Sequence, residues 1–240
     1  MQTIKYLGLI ALLFGILSAC KDAKTPAQDT EQTITILQTA DIHGQLFPHD
    51  ELFWENEQIT FRKLGGLAHV KTLFEEERSK NPKGTLILDG GDLIQGSAYA
   101  ALSEGKAFAP IVQEMGYDFL IPGNWEVVYG KQTMMDVLTQ YDTPVISANM
   151  YHEANGESLF PQYFIKELKG VKLGFISYND PEIPVRQNPS FSKGIHFEPI
   201  EENLEALITE LKDNQNVDVL FLVTHIGISK QYDLANNPAL

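Results

Sequence analysis

Ile121-Pro122-Gly123-Asn124-Trp125-Glu126-Val127-Val128-Tyr129-Gly130 follows the short apolar run Asp118-Phe119-Leu120-Ile121 and precedes a segment of helical spacing from Lys131. A Pro-Gly pair with Asn at the end of an apolar run marks a tight strand-to-helix turn. Three further apolar runs end in Asp or His beside Gly. Thr33 to Gln38 leads into Thr39-Ala40-Asp41-Ile42-His43-Gly44, and Thr85-Leu86-Ile87-Leu88 into Asp89-Gly90-Gly91-Asp92. Val217 to Val223 leads into Thr224-His225-Ile226-Gly227. Strands alternating with helices imply an α/β architecture, in which ligands gather beyond the carboxyl ends of strands. Asp41, His43, Asp92, Asn124 and His225 all fall within a few residues of such an end, so four strand ends can build one site.

Working outward, Leu64-Gly65-Gly66 opens a helical pattern through Lys80, with Leu67, Val70, Leu73 and Phe74 on one face. Further helices are expected around Ala107 to Met115, Lys131 to Gln140 and Ile200 to Leu211, and Pro144 to Asn149 reads as a fourth strand. Tyr163 to Leu168 and Val171 to Ser177 flank Lys169-Gly170 as a β-hairpin, which makes the sheet mixed rather than purely parallel. Phe47 to Lys63 reads as an irregular loop at the mouth of the site. Pro181 to Ser192 is a Pro-rich loop carrying Arg186, a lone cation placed to clamp an anion.

Asp41 and His43, two residues apart on an extended segment, project to one side and can face one ion. Asp92 can bridge a second ion through its two oxygens, with Asn124 offering a carbonyl oxygen and His225 a neutral imidazole. Mixed nitrogen and oxygen ligation suits Mn, Zn, Fe or Co rather than Ca. Two such metals are the usual machinery for in-line attack on a phosphorus ester. Each motif alone has a bland reading: a core histidine, a turn, a helix cap. Four of them in order favour a shared metal centre. Gln95 and Ser97 fit a cap for the helix behind Asp92, and His49, His69, His152 and His196 carry no assigned role.

The 240 residues carry a formal net charge of −14, which excludes a nucleic-acid polymer as partner because phosphate backbones demand basic stripes. At the N-terminus, Lys5 precedes an apolar run from Leu7 to Leu17 that is too short for a stable span, ending in Leu17-Ser18-Ala19-Cys20. This resembles a bacterial lipoprotein signal, with Cys20 as the lipidated mature N-terminus; an ordinary secretory signal with an incidental cysteine is the alternative. Cys20 is the sole cysteine, so an internal disulfide is impossible. The expected organisation is a signal peptide at 1–19, a lipidated cysteine and flexible tether at 20–32, and one catalytic-type domain at 33–240. Localisation follows as the cell envelope, with the membrane reached through the lipid anchor.

The motifs together resemble the calcineurin-like metallophosphoesterase superfamily, whose pattern is D-x-H, G-D, G-N-H-[ED], H and finally G-H-x-H. Asp41-Ile42-His43-Gly44, Leu64-Gly65-Gly66, Gly91-Asp92 with Gln95-Gly96-Ser97, and Ser147-Ala148-Asn149 resemble its secreted 5′-nucleotidase branch. The resemblance implies a four-layer α/β/β/α sandwich with mixed sheets and a dinuclear centre between them. It places Asp41 and His43 on the first metal, Asp92 between the two, and Asn124 and His225 on the second. In the nucleotidase form of the central motif, G-N-H-E-F-D-x-G, the His and Asp form a dyad that assists the leaving group. Trp125 and Val128 stand there instead, and neither can donate a proton, a loss of typically about 10²–10⁴-fold in rate. Trp125-Glu126 and Tyr129-Gly130 are similar to the SoxB-type thiosulfohydrolase form.

The chain also stops before a G-H-x-H motif, and the resemblance makes it an incomplete domain of a longer gene. The expected function is a metal-dependent hydrolase of a nucleotide-like phosphate ester, with two divalent ions as cofactors. The alternatives are a thiosulfohydrolase acting on a thiosulfonated carrier protein, or a non-catalytic metal-binding lipoprotein on a decayed scaffold.

Overall fold

Thr35–Thr39 forms β1, and the chain then makes a hairpin of β2 (His49–Glu55) and β3 (Gln58–Leu64) before α1 (Leu67–Lys80). This description comes from a computed structural model and covers residues 32–237. The signal-peptide and lipidation readings, Cys20 included, and nearly all of the tether lie outside the described residues. The chain divides into Met1–Thr33 and a compact unit of Ile34–Leu240, to which everything below belongs. The order continues with β4 (Thr85–Asp89), α2 (Ala98–Ser103), α3 (Ala109–Met115), β5 (Phe119–Leu120), α4 (Lys131–Leu138) and β6 (Met150–His152). β7 (Tyr163–Leu168), β8 (Val171–Asn179), α5 (Ile183–Arg186), β9 (Ile195–Phe197), α6 (Leu204–Thr209), β10 (Val219–His225) and α7 (Ile228–Ala235) complete it.

Two three-stranded sheets form the centre. One is parallel with order β1-β4-β5; the other has order β10-β8-β7, with β10 parallel and β7 antiparallel to β8. The expected β7–β8 hairpin and the mixed sheet are therefore present. The period of two assigns the layers. On β4, Leu86 and Leu88 point between the sheets, where they meet Phe119, Leu173 and Phe175, with Phe221 packed against the cluster. Ile87 points the other way, into a core with Phe74, Val112, Met134 and Val137 from α1, α3 and α4. Ile176 and Tyr178 on β8 meet Leu204 and Leu207 of α6 and the following Leu211 on the outer side of the second sheet. Helices, sheet, sheet, helices make the expected four layers. Because β4 is buried on both faces, its residues read as a continuous apolar run rather than an alternation.

Several local expectations fail. The stretch Phe47 to Lys63, read as a loop, is largely the β2–β3 hairpin. Its two-residue turn uses Asn56 and Glu57, both at positive φ (52° and 60°), so the usual glycine signal of such a turn is missing. Pro144 to Asn149 makes one bridge, Val145 to Leu120, instead of a strand. The reason is that it crosses between sheets: Ile146 N donates to Leu120 O, and Ala148 N to Ser177 O. Leu73 is 59% exposed, leaving Leu67 and Phe74 as the buried face of α1. Ser97 does cap α2, its hydroxyl accepting from Ala100 N.

Candidate metal centre

The β1–Asp41 and β4–Asp92 ends are zipped together by backbone. The N–H groups of Asp41, His43 and Gly44 donate to the carbonyls of Gly91, Asp92 and Leu93 at 2.8–2.9 Å. To do so the backbone turns left-handed at Asp41 (φ 53°), His43 (φ 49°) and Asp92 (φ 60°). The extended Asp41–His43 geometry expected from the sequence is therefore replaced by a turn, and the two side chains still converge. Non-glycine residues held at positive φ are strained, and three of them side by side are a feature of functional sites.

The side chains meet around Asp92. His43 Nε2 stands 3.7 Å from Asp41 Oδ1 and 3.8 Å from Asp92 Oδ2. His225 Nε2 stands 3.2 Å from the same Asp92 Oδ2 and 3.0 Å from Asn124 Oδ1. One carboxylate oxygen thus faces both imidazoles. Asp92 Oδ1 is used differently, accepting from Trp125 N at 2.7 Å. Ligand atoms of Asp41, Asp92 and His225 all lie within 4.8 Å of one another. The structure therefore brings together all five residues expected from the sequence, in two groups that share Asp92.

These residues fit a divalent cation by the chemistry of their donors. In each imidazole Nδ1 meets a carbonyl, Gln95 O at 3.1 Å for His43 and Gly90 O at 2.8 Å for His225. A carbonyl only accepts, so Nδ1 carries the hydrogen and a neutral ring presents its Nε2 lone pair to the acids. A hydrogen-bonded Nδ1 of this kind fixes tautomer and orientation in metal-ligating histidines. Five lone-pair donors then converge with no hydrogen among them. His225 registers the mismatch: burial alone lowers its pKa, but the hydrogen bond and charge of Asp92, with the Gly90 carbonyl and Glu126, push it up to about 9. In the metal-free protein His225 therefore takes up a proton, which sets one positive charge against the carboxylate of Asp92.

Glu126, which the sequence reading left without a role, is 2% exposed. Its Oε2 accepts from Asp92 N at 3.0 Å and Gly123 N at 2.6 Å, and its Oε1 from Leu93 N at 2.7 Å. One carboxylate clasps the Asp92 loop to the Asn124 loop. Burial holds its pKa above the usual carboxylate range, and the Asp92 charge adds to that. The available signal was an acid set directly between Trp125 and Val127-Val128, with Lys131 the nearest cation in sequence. The loops can approach because of Gly123, where a Cβ would lie 2.2 Å from Asp92 Oδ1 and 2.4 Å from Asp92 N.

Asp89, fully buried one turn behind, accepts from the Thr39 hydroxyl at 2.6 Å and from Gly91 N at 3.0 Å. Burial pushes its pKa up to about 7, with a smaller contribution from Glu126. A cavity of about 380 Å³ opens from Asp41, Asn124 and His225 towards Arg186 and Gln187. Arg186 lines it but is already paired, to Asp180 at 2.9 Å and Glu182 at 2.7 Å, so it is no free clamp.

A family model described as calcineurin-like phosphoesterase matches residues 34–240. A 5′-nucleotidase of Vibrio vulnificus is 30% identical over 92% of this chain and 39% of its own length. UshA of Escherichia coli is 28% identical over 91% of this chain and 38% of its own length. The chain thus spans about two fifths of the curated relatives it matches. Among solved structures, the NAD nucleotidase of Haemophilus influenzae superposes with a TM-score of 0.75 at 27% identity, over 84% of this chain and 36% of that one. The sulfate thiohydrolase SoxB of Thermus thermophilus superposes at 0.77 with 21% identity, over 87% of this chain and 47% of that one, a likeness of fold.

Proposed function

The chain belongs to the calcineurin-like phosphoesterase family, whose members use divalent metals, and from that premise we propose that it carries the metal centre of a phosphoester hydrolase. The observation that carries the reading is the position of Asp92 Oδ2, faced by His43 on one side and His225 on the other. Asp41, His43 and Asp92 would hold one divalent ion, and Asp92, Asn124 and His225 a second, of the Mn, Zn, Fe or Co class. Such ions supply Lewis acidity at a scissile phosphorus.

The chain's own residues do the rest. Gly90 and Gln95 fix the imidazoles through Nδ1, Glu126 sets the distance between the two loops, and the cavity beside Asn124 and His225 receives the substrate. The relatives named as 5′-nucleotidases favour a small nucleotide-like phosphate ester. We further propose residues 1–19 as a signal peptide, Cys20 as a lipidated anchor followed by a tether to 32, and the cell envelope as location.

A second reading rests on Trp125 and Val128. With no side chain there to protonate a departing oxygen, the site favours leaving groups that depart as stable anions. A thiosulfonate on a carrier-protein cysteine is such a substrate.

The test is Mn titration followed by electron paramagnetic resonance, paired with assays for phosphate release from nucleotides and sulfate release from a thiosulfonated thiol. Two bound ions and turnover of either substrate, with binding lost in Asp92→Asn, are expected. Absence of metal binding in a folded protein would sink the proposal, and binding without turnover of either substrate would leave a non-catalytic metal protein.

A further inference from the structure

The β2–β3 hairpin lies apart from both central sheets, as a two-stranded unit of its own. Its register sets Leu52 opposite Phe61 and Trp54 opposite Ile59, and the period of two puts all four on one face. They are exposed by 56%, 64%, 70% and 56% respectively. The opposite face is polar and closed by the hairpin's own side chains: Arg62 stacks 3.8 Å over the Phe53 ring and pairs with Glu55 at 3.1 Å. Among the described residues the apolar face has no such cover. An isolated two-stranded hairpin is marginal in water, so a bare face of two apolar rungs calls for a partner.

We propose that this face packs on the same face of a second copy of the chain. Side chains of these sizes present on the order of 500 Å² at those exposures. Two faces together remove about 1,000 Å², the lower bound for a specific interface, which places the dimer among weak, concentration-dependent associations. The charges suit it as well. Asp50 and Lys63 form the next rung on that face, 3.4 Å apart. A two-fold axis along the hairpin sets Asp50 against Lys63 of the second copy, Leu52 against Phe61, and Trp54 against Ile59, so every rung meets its complement. An anionic bilayer or a nucleic acid fits less well, because Glu55 and Glu57 lie beside and within the turn and the whole chain carries −14. That same charge makes two copies repel at long range, so added salt strengthens the association.

The experiment is sedimentation velocity of the full chain in mild detergent from about 1 to about 100 µM, at low and moderate salt. A concentration-dependent dimer is expected, populated above half near the top of the range and more so with added salt. W54S/F61S abolishes it with an unchanged melting temperature, since both residues are exposed. As an independent check, D50K and K63E each weaken self-association, and an equimolar mixture of the two forms a heterodimer. A monomer throughout, a W54S/F61S variant that dimerises like the wild type, or a mixture that fails to pair overturns the proposal. So does tryptophan fluorescence that responds to anionic vesicles in the wild type but not in W54S/F61S, in a protein that stays monomeric. None of these readouts depends on metal or turnover.

Discussion

Replacing Glu126 by Gln tests whether one buried carboxylate sets the geometry of the centre. The wild-type side chain accepts three backbone N–H groups, two at Oε2 and one at Oε1. Gln has a single acceptor oxygen. If that oxygen takes the Oε2 place, its NH2 group faces Leu93 N–H across a distance that was 2.7 Å in the wild type. If it takes the other place, the NH2 faces both Asp92 N–H and Gly123 N–H. At least one buried donor is orphaned, which costs about 1–3 kcal/mol, and the remaining bonds lose their ionic character. Removing a negative charge beside Asp92 offsets part of that in the metal-free protein, so the expected net loss there is about 1–2 kcal/mol.

The larger effect falls on the metal, because the Asp92 and Asn124 loops are no longer held together. Groups that orient ligands typically contribute 10–100-fold in affinity, and a weakening of about that size is expected. Isothermal titration with Mn in wild type and Glu126→Gln, alongside chemical unfolding of both, reads the two quantities separately. A variant that binds Mn within about twofold of wild type would refute the clasp. Lost stability with unchanged affinity would reduce Glu126 to a structural acid.

Gly123→Ala places a Cβ against Asp92 backbone and carboxylate at 2.2–2.4 Å, atoms that cannot move without opening the centre. Loss of Mn binding beyond detection is expected, with destabilisation of about 1–3 kcal/mol measured by urea unfolding. Asp89 supplies a pH prediction for the metal-free protein. Its folded pKa of about 7 lies above the unfolded value near 4, so its contribution is complete below about pH 4 and is lost as pH rises through 7. The loss amounts to up to about 4 kcal/mol, and Asp89→Asn should flatten that part of a stability-versus-pH curve recorded in chelator. Phe175→Ala removes a ring that stacks on Phe221 at 4.9 Å and contacts Phe119 at 4.9 Å between the sheets. About 3–5 kcal/mol of stability should disappear in a denaturant titration, since sheets held from both sides collapse poorly around the void.

Legible in the residues alone were most of the strand ends, the alternation of strands and helices, the β7–β8 hairpin, and Asp92 with the four side chains that gather around it. These are local signals: apolar runs, helical periodicity, and Gly or Pro beside Asp, Asn and His at the ends of runs. The tertiary structure decided what depends on pairing between distant segments. Asp41 and His43 look extended in sequence, yet hydrogen bonds to Gly91 and Asp92, some fifty residues away, turn both left-handed. Pro144 to Asn149 has a strand's composition but is shared between two sheets, so it satisfies its backbone by crossing rather than by pairing along its length. Arg186 stands out as a lone cation in the sequence, and only the packing of its loop reveals that Asp180 and Glu182 already hold it. Glu126 is the clearest case. A buried acid is costly unless its oxygens are satisfied, and the donors that satisfy it belong to loops that meet only once the first sheet is formed.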